Sequence, residues 1–220
     1  MRSKKIISVI LNFLIFALVA TVFTVRVLVY DDTEQSLMEN GLAILKFFTV
    51  QSNVLMGIVA LVFGCYRIRE LKIGKLPPKA IFVIKHVATA GVALTFLTVV
   101  LYLSPINPAG YFDLFTGANF FFHFLVPVIA IVAQVFFDGE KMPFSYTVFG
   151  VIPMFLYGLW YIVNALGHLE NGKVVPEYDW YYFLQGGTVM SIAIVVGMIV
   201  LAFAISALLW LTEKAVNGRK

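Results

Sequence analysis

Long apolar runs separated by short polar segments recur six times along the chain, at Ile6–Val29, Ile44–Tyr66, Ala80–Leu103, Asn119–Phe137, Ser145–Ala165 and Gly187–Leu211. Each is close to or above the roughly 20 residues that cross a bilayer core as a helix. The pattern predicts an all-α polytopic membrane protein, one domain over residues 1–220, with six transmembrane helices. Arg2, Lys4 and Lys5 precede the first run, as in a signal peptide. That run is longer than the usual apolar region of about 7–15 residues and lacks a small-x-small cleavage site, so it is expected to remain as a span.

Polar residues between the runs alternate in sign. The N-terminus, 67–79, 138–144 and the C-terminus hold Arg2, Lys4, Lys5, Arg67, Arg69, Lys72, Lys75, Lys79, Lys141, Lys214, Arg219 and Lys220. The intervening segments 30–43, 104–118 and 166–186 hold Lys173 as their one basic residue beside Asp31, Asp32, Glu34, Glu39, Asp113, Glu170, Glu177 and Asp179. The excess of Lys and Arg on one side predicts that both termini are cytoplasmic, in the plasma (inner) membrane. Tyr30, Tyr111, Phe112, Phe115, Tyr178, Trp180, Tyr181 and Tyr182 crowd the outer side, as an interfacial belt does. They also suit a platform where a lipid enters sideways.

Composition sharpens the class. The chain is 61% hydrophobic and 13% charged, against about 25% charged in soluble domains. Its net charge of +4 does not point to nucleic acid, because the basic residues lie between apolar runs rather than among stacking aromatics on one soluble face. The lone Cys65 excludes an intrachain disulfide and reads as a packing residue. No phosphate-binding loop, paired-carboxylate constellation or one-helix zinc spacing is present, so neither a cofactor nor a metal is expected. Pro127 and Pro153 lie inside spans, where neighbouring groups satisfy the carbonyls they free.

Ionisable residues inside spans are candidate functional sites by default. Arg26, Lys46 and Lys85 are read as snorkelling to headgroups. His86 is read as bonding a neighbouring helix, and His168 as a solvated loop residue. The outer start of the second span, "LKFFTVQSNVLMG" over 45–57, holds Thr49, Gln51, Ser52 and Asn53. The fourth span opens with Asn119 and His123 inside "GANFFFHFLVP". Thr49 lies about 4–5 Å deeper than Lys46, and His123 about 6 Å deeper than Asn119. Thr49 and Asn53 share one helical face, and Asn119 and His123 another. A hydroxyl beside an imidazole is the minimum for an activated nucleophile, with amide donors for an oxyanion. The bland alternatives are a threonine bonded to its own i−4 carbonyl and a structural histidine.

At these residues the chain resembles the androgen-induced and androgen-dependent membrane proteins of animals. Those are multi-pass threonine hydrolases that cleave esters of fatty acids with hydroxy fatty acids. The matching features are Phe48-Thr49, the amide at Asn53, and Asn119 with His123 and Pro127. A set of bacterial six-pass proteins with "TxxSN" and a later "HxxxP" is similar too. The resemblance implies Thr49 as nucleophile and His123 as base, with a lipid or fatty acyl ester as substrate. Asn53, Ser52, Asn119 and Tyr161 are candidates for oxyanion or orienting roles. A related group of acyltransferases pairs cysteine with histidine, but Cys65 lies at the wrong depth for His123. The resemblance does not extend to an alignment of the segment 174–187. Two rivals remain. A transporter asks for polar residues through the whole depth, whereas the centre here is apolar apart from Thr95, Thr98 and Gln134. A lipid-binding protein without catalysis needs no Thr–His pair.

Overall fold

The computed structural model describes residues 2–28, 41–184 and 186–218. Six helices in it are long and apolar enough to cross a membrane: α1 (Arg2–Leu28), α2 (Phe48–Ile73), α3 (Lys79–Ile106), α4 (Gly117–Asp138), α5 (Phe144–Leu166) and α6 (Thr188–Asn217). Six crossings bring both ends of the chain to one end of the bundle, the terminal end. The acidic run Asp31, Asp32, Glu34 and Glu39, with Tyr30, lies outside the described residues, as do Arg219 and Lys220.

Several helices outlast their apolar runs. α2 continues through Arg67, Arg69 and Glu70 to Ile73, and α6 runs on to Asn217. Charged side chains do not stop a helix, whereas main-chain geometry does. α2 ends where Gly74 turns left-handed (φ 72°) and donates its N–H to the Glu70 carbonyl at 2.9 Å, just ahead of Pro77 and Pro78. The charges expected in loops therefore ride on helices. Two stretches of α4, Phe121–Leu125 and Gln134–Asp138, widen into π-turns. The first two turns of α5, Phe144–Val151, are wound tightly as a 3-10 helix ahead of Pro153. The loop after α5 carries the one strand pair among the described residues. Leu169–Glu170 pairs antiparallel with Lys173–Val174. Asn171 and Gly172 between them both have positive φ, as a two-residue hairpin turn demands.

Lipid supplies no hydrophobic drive between spans, so close packing of small residues holds helices together. α1 lies on α2 over Gly57 and Gly64; a Cβ on Gly57 would stand 2.8 Å from Val19 Cγ1. One apolar cluster joins α1, α2 and α4 around Ile15, Val19, Met56, Ala60 and Val126. A second joins α3, α5 and α6 around Leu94, Met154, Tyr157 and Ile205. The fully buried positions of α6 begin only at Ala202, so its first turns are more exposed than the rest of the helix.

Candidate functional site

Thr49 lies in the first turn of α2, at the end of the bundle opposite the termini. Its neighbour Phe48 has an orphan N–H, as every first helical turn does. The Tyr181 hydroxyl accepts that N–H at 3.1 Å. Tyr157 on α5 donates its hydroxyl to the Lys46 carbonyl at 2.8 Å, and Trp180 Nε1 donates to the Tyr157 oxygen at 3.1 Å. Residues 157–183 thus hold the entry of α2 from the side. Burial pushes the Tyr181 phenol up to about 12, only partly offset by the Phe48 N–H. Gln51 belongs to the same entry, with Nε2 donating to the Leu45 carbonyl at 2.7 Å.

Four threonines along the helices follow the bland pattern: Thr89, Thr95 and Thr212 donate to the i−4 carbonyl, and Thr147 to the i−3 carbonyl, whereas the buried Thr98 hydroxyl has no partner among the described residues. Thr49 does not follow it either. Its Oγ1 makes no hydrogen bond among the described residues, while its carbonyl accepts from Ser52 Oγ (3.1 Å) and Asn53 Nδ2 (2.8 Å).

His123 sits buried in the first π-turn of α4. Its Nδ1 lies 2.7 Å from the Leu114 carbonyl. A carbonyl can only accept, so Nδ1 carries the proton and the neutral ring presents a bare lone pair at Nε2. Nε2 has no hydrogen-bond partner among the described residues, and Thr49 is not bonded to it.

The link between the two helices is one residue off the expected pair. In the π-turn, Val126 N–H reaches back five residues to the Phe121 carbonyl. The next donor in that register is residue 127, a proline with no N–H. The Phe122 carbonyl is therefore left over, and Asn53 Nδ2 fills it at 3.0 Å. Both Asn53 amide hydrogens are thereby committed to carbonyls, and its buried Oδ1 has no partner. Ser52 Oγ shares a 3.1 Å contact with Thr95 Oγ1. Tyr161 donates its hydroxyl to the carboxylate of Asp179, a fully buried loop acid whose other hydrogen bonds include the Leu184 N–H at 3.2 Å. Asn119, half-buried, has no side-chain partner among the described residues.

At the terminal end lies a larger polar layer that the sequence pattern does not reveal. Lys85, expected to snorkel, is 1% exposed. Polar partners inside the bundle hold it there: it bonds Asn12 Oδ1 and pairs with Asp138 Oδ2 at 3.4 Å. Ser8 Oγ and Asn12 Nδ2 also donate to Asp138, at 2.5 and 3.0 Å. Glu70 takes Arg67 at 2.6 Å and Lys5 at 2.7 Å, and Arg67 Nη2 donates to the Asp138 carbonyl at 3.1 Å. The cations of Arg67 and Lys85 both lie against the Phe63 ring, at 5.0 and 5.6 Å. Nearby, Ser206 Oγ donates to the Thr147 carbonyl, so His86 Nε2 must be the donor in its 2.8 Å bond to Ser206. His86 thus bonds a neighbouring helix, α6, as expected. His168 is exposed in its loop, as expected, and stacks on Tyr178 with ring centres 3.5 Å apart. Cys65 is exposed on the outer face of α2, so it does not pack inside.

Two signals for the terminal layer stand in the sequence: Ser8 and Asn12 at i, i+4 on an otherwise apolar face, and Arg67 with Glu70 at i, i+3. No three His, Cys, Asp or Glu side chains converge as a metal site among the described residues. No protein-family model matches the chain, and no curated protein and no solved structure matches it.

Proposed function

We propose that the chain is an intramembrane hydrolase of amphiphilic lipid esters, with Thr49 as nucleophile and His123 as base. Its termini are cytoplasmic and its site lies beneath the outer leaflet of the plasma membrane, as the charge bias and the family resemblance suggest. The observation that carries the reading is His123: the Leu114 carbonyl holds Nδ1–H, so the lone pair of a buried imidazole is left at Nε2. Thr49 adds a hydroxyl with no competing hydrogen bond, on the helix that Asn53 ties to the turn of His123.

His123 Nε2 takes the proton of Thr49 as Oγ1 attacks the ester carbonyl. The tetrahedral intermediate collapses, the bond to the hydroxy fatty acid breaks, and His123 returns the proton to the departing oxygen. Water then gives a proton to His123 and attacks the acyl-threonine. The fatty acid leaves and Thr49 regains its hydrogen. Asn53 has no hydrogen left to donate to the oxyanion, so Asn119 is the better candidate. No hydrogen bond joins Thr49 and His123 in the free protein; such bonds often tighten only around substrate.

The rival transporter reading asks for a polar path. The two polar layers are separated by Ile15, Val19, Met56, Ala60, Val126 and Ala130, all buried. That apolar belt favours chemistry at one end over passage between the ends. The test is hydrolysis of fatty acid esters of hydroxy fatty acids by purified protein. Thr49→Ala and His123→Ala should each lower the rate by about 100-fold or more. Wild-type rates in variants with unchanged melting would sink the assignment.

A further inference from the structure

The fully buried positions of α6 run only from Ala202 onward, with Met198 packed part-buried before them, while Val189, Met190, Ile192 and Val196 are exposed. A groove opens between its first turns, α5 and the 169–174 hairpin. Its outer part has a volume of about 800 Å³. An inner extension of about 120 Å³ runs on between Met154 and Met198. Ile162, Leu184 and Val195 line both parts, so the two lie side by side against the same residues. The combined space suits one lipid-sized ligand; typical ligand sites span about 300–1,000 Å³. Tyr157 closes the inner part, and its far side packs on Phe48 with ring centres 5.2 Å apart. The groove therefore lies behind Tyr157 and Phe48, apart from the Thr49 hydroxyl.

The walls are apolar and the mouth is not. Lys173, Thr188 and Ser191 stand at the outer end. Lys173 makes no salt bridge among the described residues, and Glu170 opposite it in the hairpin does not pair with it. It is also the one basic residue in the three segments 30–43, 104–118 and 166–186. An unpaired cation at the mouth of an apolar slot complements one negative head on one apolar tail. A single lysine is a point charge suited to a carboxylate. Lysine also meets phosphate, so the choice between the two heads rests on the number of apolar chains the slot admits. The narrow inner extension takes one chain, not two.

We propose that this groove binds a long-chain fatty acid, with the carboxylate on Lys173 and the chain running past Val195 towards Met198. The site stands independently of the ester chemistry. The test uses the full chain in lipid nanodiscs, a photoactivatable palmitic acid analogue, and mapping of the labelled peptides. Labelling is expected on α5 around Ile162 and on α6 around Ile192–Ile199, with competition by palmitate. Lys173→Glu, on an exposed hairpin, should weaken labelling about fivefold or more, and Lys173→Arg should retain most of it. Val195→Trp should block the groove. Equal competition by methyl palmitate or by a phosphatidylglycerol would overturn carboxylate recognition. Labelling unchanged in both Lys173→Glu and Val195→Trp would overturn the site. Thr49→Ala should leave labelling intact, so this proposal and the hydrolase reading can fail separately.

Discussion

Removing the carboxylate of Asp138 should damage the terminal polar layer more than any other single change. Asp138 is fully buried and accepts from Ser8 Oγ, Asn12 Nδ2 and Lys85 Nζ at 2.5, 3.0 and 3.4 Å. In Asp138→Ala, Lys85 keeps only Asn12 Oδ1 and the face of Phe63. Leaving one member of a buried pair uncompensated costs about 3–5 kcal/mol. The two stranded donors, Ser8 and Asn12, each cost about 1–3 kcal/mol if unsatisfied, but they share one partner and the costs do not add. A loss of about 3–5 kcal/mol is therefore expected, measured by tryptophan fluorescence during unfolding in mixed detergent and SDS micelles. Lys85→Met should cost a comparable amount. The double variant Lys85→Met/Asp138→Leu should lose less than the sum by at least about 1 kcal/mol, because it leaves no bare charge. Little change with added salt is expected, since the pair is shielded from solvent ions. Asp138→Ala within about 0.5 kcal/mol of wild type, or additive single effects, would refute the reasoning. Either result would mean that water reaches the layer.

Other expectations follow from single contacts. Asn53→Leu strands the Phe122 carbonyl and should cost about 1–3 kcal/mol, while adding Pro127→Ala, which restores a backbone N–H, should recover part of that in the same unfolding assay. Gly150→Ala places a Cβ 2.3 Å from Ser206 Oγ and should lower the melting temperature, with a cost of about 1–3 kcal/mol. Tyr181→Phe removes the acceptor for Phe48 N–H and should cost about 1 kcal/mol. Because burial raises the Tyr181 phenol to about 12, its neutral form is favoured in the fold. That contribution is complete below the ordinary tyrosine range near pH 10 and is lost as pH rises through 12, so Tyr181→Phe should blunt alkaline unfolding.

The six helices are legible in the sequence because lipid demands unbroken apolar runs, and runs of that length leave few alternatives. Their ends are less so. Arg67 and Glu70 look like loop residues by polarity, yet α2 stops at Gly74 and the following prolines. The pairing of α2 with α4 is half legible. Spacing brings Asn53 towards the turn of His123, but the partner is the Phe122 carbonyl, a main-chain need created by Pro127. Side-chain patterns do not show such needs. The terminal layer is the least legible part, because Asn12, Glu70, Lys85 and Asp138 lie on four different helices and each looks ordinary alone.

The makeup of that layer bears on how the protein is made. Lys5, Ser8, Asn12, Arg67, Glu70, Lys85 and Asp138 all belong to α1 through α4. During synthesis Lys85 enters the insertion machinery before Asp138 exists, so α3 cannot be released into lipid with its charge matched. The first four helices are therefore expected to leave as a group, once the end of α4 has been translated. α5 and α6 can follow later. The exposed start of α6 makes it the natural last arrival, and the groove beside it the last surface to form.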